Sequence, residues 1–297
     1  MFRYFKPAFM SAVVILSAQA AHAWGPNGHR ITAQIAEGTM SGADRINLWA
    51  IAGPRGLALM ATWPDFVRSF AQYDCFKPWH FLTVEDGQPI EEALKRPPDL
   101  SDACDKAAFA DLDMPGNVVD AITFFADILK GDKDKAARFS KLMETQNAPL
   151  YQGSVDMTAL ALLVHLVGDV HQPLHVGRGP DRGGNSIDVY WFGEPVVLHE
   201  VWDEGLIEKE ALSFTEFAVF LVQDLGYDAP ANSAPVSWAE ESVNLRAKVY
   251  DFGDKTKNGL PDLSYSYAAQ NDAVFKARLH TGGVRLAALL SEILATR

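Results

Sequence analysis

Positive charge is in short supply in this sequence. Its 26 Lys and Arg residues stand against 38 Asp and Glu, which gives a formal net charge of −12. A surface of that sign repels DNA, RNA and anionic lipid at long range, so it excludes phosphate binding by a general basic surface. A protein of this charge that handles phosphates needs a concentrated local source of positive charge, and bound metal ions are such a source.

Cysteine is scarce, and repeats, low-complexity tracts and long polar linkers are absent. Without such features nothing divides the chain, so one domain is the simplest interpretation. Cys75 and Cys104 are the only cysteines. They suit an exported protein with one disulfide, which would stabilise the fold by roughly 3 kcal/mol. The alternative is two unpaired thiols.

The N-terminal segment is typical of a signal peptide. MFRYFK is positively charged, and the uncharged run PAFMSAVVILSAQA is too short to span a bilayer. The tripeptide AHA at 21–23 fits signal peptidase, so we expect cleavage between Ala23 and Trp24. Cleavage removes two basic residues and no acid, leaving a mature chain, 24–297, with a charge of about −14. The alternative is an uncleaved membrane anchor.

Most periodic segments predict helices. NVVDAITFFADILK at 117–130 places its large apolar residues on one stripe, as in an amphipathic core helix. SVDMTALALLVHLVGD at 154–169 is apolar almost all round, which indicates a buried central helix with Ser154 as its N-cap. Further helical patterns at 238–252 and 272–297 close the chain.

Strand signals are confined to one place. SIDVYWF and PVVLH, separated by Gly193 and Glu194, predict the two arms of a small β-hairpin near residues 186–198. The predicted fold class is therefore mainly α, a single-domain helical fold with a minor β-hairpin.

Histidines paired with carboxylates indicate metal sites. His165 and Asp169 lie four positions apart, which on a helix places imidazole and carboxylate one turn apart on the same face. His199 and Asp203 repeat that spacing, and His175 follows a proline bend, so it can approach from another direction. Either pair alone could be an ordinary ion pair. Asp169, however, needs a strong partner because its helix is apolar and burial of an uncompensated carboxylate is unfavourable.

Two further stretches add candidates. Asp65 and Arg68 stand three apart in TWPDFVR, and His80 lies between two aromatic residues in KPWHFL. Each has a structural alternative. Asp65 and Arg68 could form an ordinary ion pair on a helix surface, and His80 could be a core histidine. Nitrogen and oxygen donors without thiolates favour zinc, and less strongly manganese or iron, over calcium or magnesium. The candidates are too many for one four-coordinate ion: His29, Asp65, His80, His165, Asp169, His175, His199 and Asp203.

A series of motifs carries a family resemblance. In chain order these are WGPNGH, WPDFVR, PWHF, VHLVGDVHQPLH, DRGGN, LHEVWD and RLHTGGVRLAALL. Together, over essentially the whole mature chain, they resemble the zinc-dependent single-strand-specific nucleases of the S-one/P-one type. That family is structurally akin to the zinc-dependent bacterial phospholipases C.

The resemblance implies a helical fold around three zinc ions. The implied ligands are Asp65, His80 and His165 for the first; the α-amine and carbonyl of Trp24 with His29 for the second, Asp169 bridging these two; and His175, His199 and Asp203 for the third. Water shared between two zinc ions would attack phosphorus, and the third ion would stabilise the departing oxygen. Asp65 and Asp169 would take part in catalysis, and Arg68 would stabilise the transition state.

Substrate contacts are also implied by the resemblance. Phe81 matches an aromatic residue that stacks on a nucleobase, which favours unpaired strands. Thr83 departs from the aspartate that fungal members have there, so base preference at that pocket is expected to differ. We assign His171, Gln172 and His280 supporting or structural roles, and we expect Asn185 to fix the loop before the hairpin.

The expected function is that of a secreted or periplasmic, monomeric endonuclease without a protein partner or stable membrane association. Its substrates would be single-stranded DNA and RNA, cut to 5′-phosphorylated products, and 3′-nucleotides, cleaved by an associated 3′-nucleotidase activity. Two alternatives are a zinc-dependent phospholipase C-like phosphodiesterase and a non-catalytic zinc-binding protein.

Overall fold

A computed structural model describes residues 24–53, 55–228 and 234–297. The predicted signal peptide, residues 1–23, lies outside the described residues. Within the described part of the chain, no helix combines the length and the apolar character needed to cross a bilayer.

The fold is mainly α-helical with one small sheet, which confirms the predicted class. The α-helices are α1 (Pro26–Thr39), α2 (Gly42–Ala52), α3 (Leu57–Met60), α4 (Trp63–Val67), α5 (Ile90–Ala93), α6 (Lys106–Asp111), α7 (Val118–Leu129), α8 (Lys133–Thr145), α9 (Val155–His171), α10 (Leu198–Glu200), α11 (Leu206–Glu208), α12 (Phe214–Leu225), α13 (Pro235–Val249) and α14 (Tyr265–Ala295). Ala71–His80, Tyr151–Gly153 and Pro173–Val176 are 3₁₀-helical, and Val201–Gly205 is a π-helical turn that joins α10 to α11.

The two helices predicted in the middle of the chain both form. α7 begins after Asn117, whose side chain accepts hydrogen bonds from two backbone N–H groups of the first turn. α9 begins after Ser154, which caps Met157 N–H, and it is buried without interruption from Thr158 to His171. Because every face of α9 is covered, polar side chains on it need partners inside the protein.

The predicted hairpin forms, as β1 (Asp188–Trp191) paired antiparallel with β2 (Glu194–Val197). The sheet is larger than predicted: β4 (Leu260–Leu263) pairs parallel with β1 and antiparallel with β3 (Thr256–Lys257). These strands are too short to show a period, and β4 contains a proline, so no strand signal is present there. The predicted second arm also ends early, because Leu198 already begins α10.

Two apolar clusters form the core. One packs around α7 and α9, and the other lies between the N-terminal residues, the sheet and α14. Cys75 and Cys104 form the predicted disulfide, with their Cα atoms 4.8 Å apart. The bridge fastens the 3₁₀ segment that ends at His80 to the first cluster.

Candidate metal centre

The side chains predicted as metal ligands meet at one place beside the C-terminal half of α9. All of them are buried, and their ligand atoms form three clusters, each within 4.8 Å. The clusters are His29, His165 and Asp169; Asp65, His80 and His165; and His175, His199 and Asp203. His165 belongs to two clusters, so these two adjoin.

Asp169 is the common neighbour of these clusters. Its Oδ2 lies 3.0 Å from His80 Nδ1 and 3.3 Å from His165 Nε2, and its Oδ1 lies 3.4 Å from His29 Nε2. Oδ1 is also 3.7 Å from His175 Nδ1, in the third cluster. Burial, followed by the repulsion from Asp65, raises the pKa of this carboxyl well above its usual range. A bound cation would hold it in the ionised form.

The rings of the first two clusters are oriented by backbone groups and by stacking. His165 Nδ1 donates to Ala61 O at 2.7 Å, so Nε2 presents its lone pair inward. That lone pair lies 3.1 Å from His80 Nδ1 and 3.7 Å from Asp65 Oδ1. The His29 ring stacks on His165 with centroids 3.7 Å apart. These donor atoms converge as ligands do around an ion.

The third cluster gives the sharpest test of metal binding. His175 Nδ1 donates to His80 O at 2.6 Å, and His199 Nδ1 donates to Gly183 O at 2.5 Å. Both Nε2 atoms therefore carry lone pairs, and they face each other at 3.2 Å. Two facing lone pairs repel unless a proton or a metal ion lies between them. A divalent ion bound by both, and by Asp203, removes that repulsion.

The protonation of the third cluster follows from its burial. Burial, then the neighbouring His199, lowers the pKa of His175 well below its usual range. For His199, burial opposes the charged form, but the charge and hydrogen bond of Asp203 together with the hydrogen bond to Gly183 O outweigh it, and the pKa rises. Burial raises the pKa of Asp203 to about 6. The metal-free cluster therefore holds protons that a metal ion must displace.

Irregular backbone builds this third cluster. His199 and Asp203 lie 3.2 Å apart across the start of the π-helical turn, a distortion that is common at functional sites. Gln172 Nε2 donates to Asp203 Oδ1 at 2.7 Å, which orients the carboxylate. Gly183, with a φ of +60°, turns its carbonyl toward His199. The donor set of all three clusters, imidazole and carboxylate without thiolate, fits metals of the zinc, manganese and iron group.

Trp24 lies beside these clusters. Its side chain is fully buried, and the next residue, Gly25, donates its N–H to Asp203 O at 2.8 Å. A Cβ atom on Gly168 of α9 would lie 2.8 Å from His29 Nδ1 and 3.7 Å from Trp24 Cδ1. The first residues of the predicted mature chain thus pack directly against the ligand-bearing helices.

The residues predicted to contact substrate border the clusters. Arg68 Nη1 lies 3.4 Å from Asp65 Oδ1, and its side chain is 22% exposed, so the guanidinium is open to solvent. Leu82 N–H donates to His175 O, which fixes an extended segment directly after His80. Along it Phe81 and Thr83 are half-buried while the residues between and after them are buried. Phe81 and Thr83 therefore lie on the same, accessible side.

The supporting residues are found in separate places. His171 Nδ1 donates to Val167 O, and its other ring nitrogen lies 3.0 Å from Arg285 Nη1. Burial, then Arg278, lowers the pKa of His171 well below its usual range, so the ring is neutral. His280 hydrogen-bonds Gly226 O, and Asn185 donates to Arg182 O within its loop.

Two features of the site were not predicted. Glu241 accepts hydrogen bonds from both Arg278 and Arg285, a partly buried network that joins α13 to α14 behind His171. Phe66 and Phe70 are 68% and 45% exposed on either side of Arg68. Their four-residue spacing in DFVRSF places both rings on one face of a helix. Such a pattern is typical of a core-facing stripe, so it does not predict their exposure.

The fold is mainly helical, and its three histidine and aspartate clusters could hold metal ions. A family model described as S1/P1 Nuclease matches residues 24–295. The chain is 27% identical to Nuclease S1 of Aspergillus oryzae over 308 aligned positions, which cover 96% of each protein. It is 25% identical to Endonuclease 1 of Arabidopsis thaliana, over 96% of this chain and 91% of the relative. Nuclease P1 of Penicillium citrinum is 27% identical, over 91% of this chain and 97% of the relative.

The chain belongs to the S1/P1 nuclease family. Membership supports a hydrolase that acts on the phosphodiester bonds of nucleic acid.

Proposed function

We propose that the protein is an exported, zinc-dependent endonuclease that cleaves single-stranded DNA and RNA to 5′-phosphorylated products and has 3′-nucleotidase activity. The observation that carries the proposal is the set of three adjoining histidine and aspartate clusters in a chain of the S1/P1 nuclease family. The net charge of −12 agrees with it, because bound cations would supply the positive centre that a phosphate needs.

Zinc is the proposed ion because the clusters offer imidazole nitrogen and carboxylate oxygen only. Three zinc ions, when bound, would acidify a water molecule and neutralise charge on the phosphate. The ligand sets are those that the family resemblance implies. The carboxylate oxygens of Asp169 face His80 on one side and His29 on the other, which supports its role as the bridge between two sites.

This chain's own residues would position the substrate. Asp65 and Asp169 hold the ligand geometry, and Arg68 presents a partly exposed guanidinium next to Asp65, where it can bind a phosphate oxygen. Phe81 offers a ring for a nucleobase, which requires the base to be unstacked from its neighbours. Thr83 lies on the same side. Its hydroxyl can donate and accept a hydrogen bond, whereas a carboxylate at that position would only accept, so the two groups would select different bases.

Export is supported by three observations. The N-terminal segment has the pattern of a signal peptide, the family match begins at Trp24, and Cys75 and Cys104 are joined in a disulfide, a bond that persists in oxidising compartments. We propose that cleavage after Ala23 frees the α-amine of Trp24 to ligate zinc together with His29. A chain with one extra residue before Trp24 would then lose that zinc ion and most of its activity.

A phospholipase C-like activity is the second candidate. Leu59, Phe66 and Phe70 expose about half or more of their surface near Asp65, and such apolar side chains can contact lipid. The substrate experiment below separates the two candidates.

The decisive experiment counts zinc and tests substrates in parallel. The purified mature protein is analysed for zinc and offered single-stranded DNA, duplex DNA, RNA, a 3′-mononucleotide and phosphatidylcholine. We expect about three zinc ions per chain and hydrolysis of the single-stranded polymers and the 3′-mononucleotide. Hydrolysis of phosphatidylcholine alone would overturn the nuclease assignment, and stoichiometric zinc without hydrolysis would favour the non-catalytic alternative.

A matched pair of arginine variants tests the phosphate contact. Arg68→Ala removes the guanidinium beside Asp65, and Arg45→Ala removes an exposed arginine of α2. We expect the first to lower kcat about a hundredfold with unchanged zinc content, and the second to act like the wild type. Equal activity of the two variants would remove Arg68 from the proposed mechanism.

A further inference from the structure

A second concave site lies on another face of the segment that carries His199 and Asp203. It is a cavity of about 570 Å³, within the range that binds small molecules. Three aromatic residues and three glutamates dominate its lining: Trp191, Phe192 and Tyr265, and Glu200, Glu204 and Glu208. None of these six is among the predicted metal ligands or substrate contacts.

The aromatic rings form a preset wall. Phe192 stands between the other two, with its ring centroid 4.8 Å from those of both Trp191 and Tyr265 and nearly perpendicular to each. A perpendicular contact sets the edge of one ring against the face of the other, so each contact covers only one ring face. Phe192 and Tyr265 are 39% and 74% exposed, so both rings are accessible to a ligand in the cavity.

Trp191 is fixed more firmly than its neighbours. Its indole lies on Gly205, where an added Cβ atom would be only 2.8 Å from Trp191 Nε1. The absence of a side chain at Gly205 thus permits the indole to lie against the helical turn that separates Glu204 from Glu208. This contact brings the aromatic wall next to the glutamates.

The glutamates give the cavity a strong negative charge. Glu200, Glu204 and Glu208 follow one another at one-turn intervals, an arrangement in which like charges repel. Among the described residues, no hydrogen bond or ion pair reaches the carboxylates of Glu200 and Glu204. The lining includes one lysine, Lys209, but its Nζ lies 3.9 Å from the carboxylate of Glu210, which is not part of the lining.

We propose that this cavity binds a small organic cation, a substituted ammonium ion of the choline type. Its methyl groups would contact the faces of Phe192, Tyr265 and Trp191, and its positive charge would be countered by Glu200 and Glu204. Cations are attracted to the faces of aromatic rings, most strongly to tryptophan, and carboxylates add a second attraction. A bare metal ion would not use the rings, and a nucleotide phosphate would be repelled by the glutamates.

The test compares choline with 3,3-dimethylbutan-1-ol, a neutral molecule of nearly the same shape. Calorimetric titration of the metal-loaded mature protein at constant ionic strength measures both affinities. We expect saturable choline binding and at least about tenfold weaker binding of the alcohol. Equal affinities would reduce the site to an apolar pocket and overturn the proposal, as would no saturable binding of choline up to about 50 mM.

Variants locate the binding. Phe192→Ala and Glu204→Gln are each expected to weaken choline binding about fivefold, whereas Tyr227→Ala, which removes a ring that is 65% exposed elsewhere, leaves it unchanged. Melting curves verify that each variant is folded. We expect Phe192→Ala to fold because Phe192 is exposed to solvent. Unchanged affinity in the folded Phe192→Ala variant, or displacement of choline by a 5′-mononucleotide, would contradict the assignment.

Discussion

The third metal cluster differs from the first two in the backbone that supports it. His165 and Asp169 occupy successive turns of α9, and α1 and α4 present His29 and Asp65, so regular helices set most positions in the first two clusters. His80, which ends a 3₁₀ segment, is the exception. His175 lies in a 3₁₀ segment, and His199 and Asp203 lie at either side of the junction between α10 and the π-helical turn. The same residue types are thus held in two ways. Backbone carbonyls orient histidine rings in both arrangements, but helical spacing sets most ligand positions in the first, whereas irregular backbone and a glycine with positive φ set them in the second.

Neutralising Asp169 should have the largest effect and should distinguish the first two clusters from the third. In Asp169→Asn the shared carboxylate is lost, so we expect two of three metal ions to be released and activity to fall about a thousandfold or more. Asp203→Asn is the matched change in the third cluster and should release one ion. Elemental analysis of both variants gives the comparison. Loss of a single ion from each would show that Asp169 is not shared.

Two glycine substitutions should affect the two arrangements differently. A Cβ atom at Gly183 would collide with Leu174 O, and φ is +60° there, so Gly183→Ala should displace the carbonyl that holds His199. We expect a loss of stability of about 1–3 kcal/mol and a 10- to 100-fold weaker third ion.

At Gly168 the obstacle is a side chain, because the added Cβ would lie 2.8 Å from His29 Nδ1. Gly168→Ala should keep its stability, since alanine favours α9, and lose affinity for the ion near His29. Thermal melts and metal titrations distinguish the two variants. If both lose stability equally, the contrast between the two backbones is wrong.

Acidification should affect the third cluster through Asp203. Burial raises the pKa of this carboxyl to about 6 in the metal-free chain, above its value of about 4 in an unfolded chain. The proton therefore stabilises the folded metal-free chain below about pH 4, and this contribution is lost as the pH rises through 6. Metal binding must displace the proton, so affinity should fall up to about tenfold per pH unit below 6.

Melting temperatures across this pH range, with and without metal, measure both trends. The Asp203→Asn variant supplies the reference for the metal-free melts, because it lacks the titrating carboxyl. Metal affinity is followed in the wild type, since the variant is expected to release the third ion. A third ion whose affinity is independent of pH between about 4 and 6 would contradict the raised pKa.

The smallest effect is expected from the residue that orients Asp203. Gln172→Ala removes the 2.7 Å hydrogen bond from Nε2 to Asp203 Oδ1. We expect about tenfold weaker binding of the third ion with the first two unchanged. Metal competition with a chelator reports this directly. Simultaneous weakening of all three ions would mean that Gln172 acts on the fold and not on Asp203.

The features that could be predicted from the sequence are mostly those that depend on helical spacing. The apolar run of α9 and the four-residue spacing of His165 and Asp169 specify a buried helix and a shared face, and the structure has both. The Cys75 and Cys104 pairing was likewise predictable, because the chain has just two cysteines and an N-terminal segment typical of export. These features depend on local spacing or on counting, so they need no knowledge of distant contacts.

The remainder depends on contacts between distant segments. That His199 is oriented by Gly183 O, and His175 by His80 O, cannot be inferred from the residues near either histidine. The β-branched residues of PVVLH predict a strand through Leu198 and His199, but the fold overrides that propensity and a helix begins at Leu198. The parallel pairing of β1 with β4 joins segments about 70 residues apart and left no periodic signal.

Burial of Trp24 also bears on timing. The first residues of the proposed mature chain belong to the protein interior, and the Gly25 N–H is bonded to the carbonyl of a residue in the third cluster. A chain still joined to its leader would have to accommodate the preceding residue at that buried position, beside His29. If the leader is removed as proposed, the uncleaved chain lacks the free α-amine of Trp24, and we expect the nuclease to become active only after cleavage.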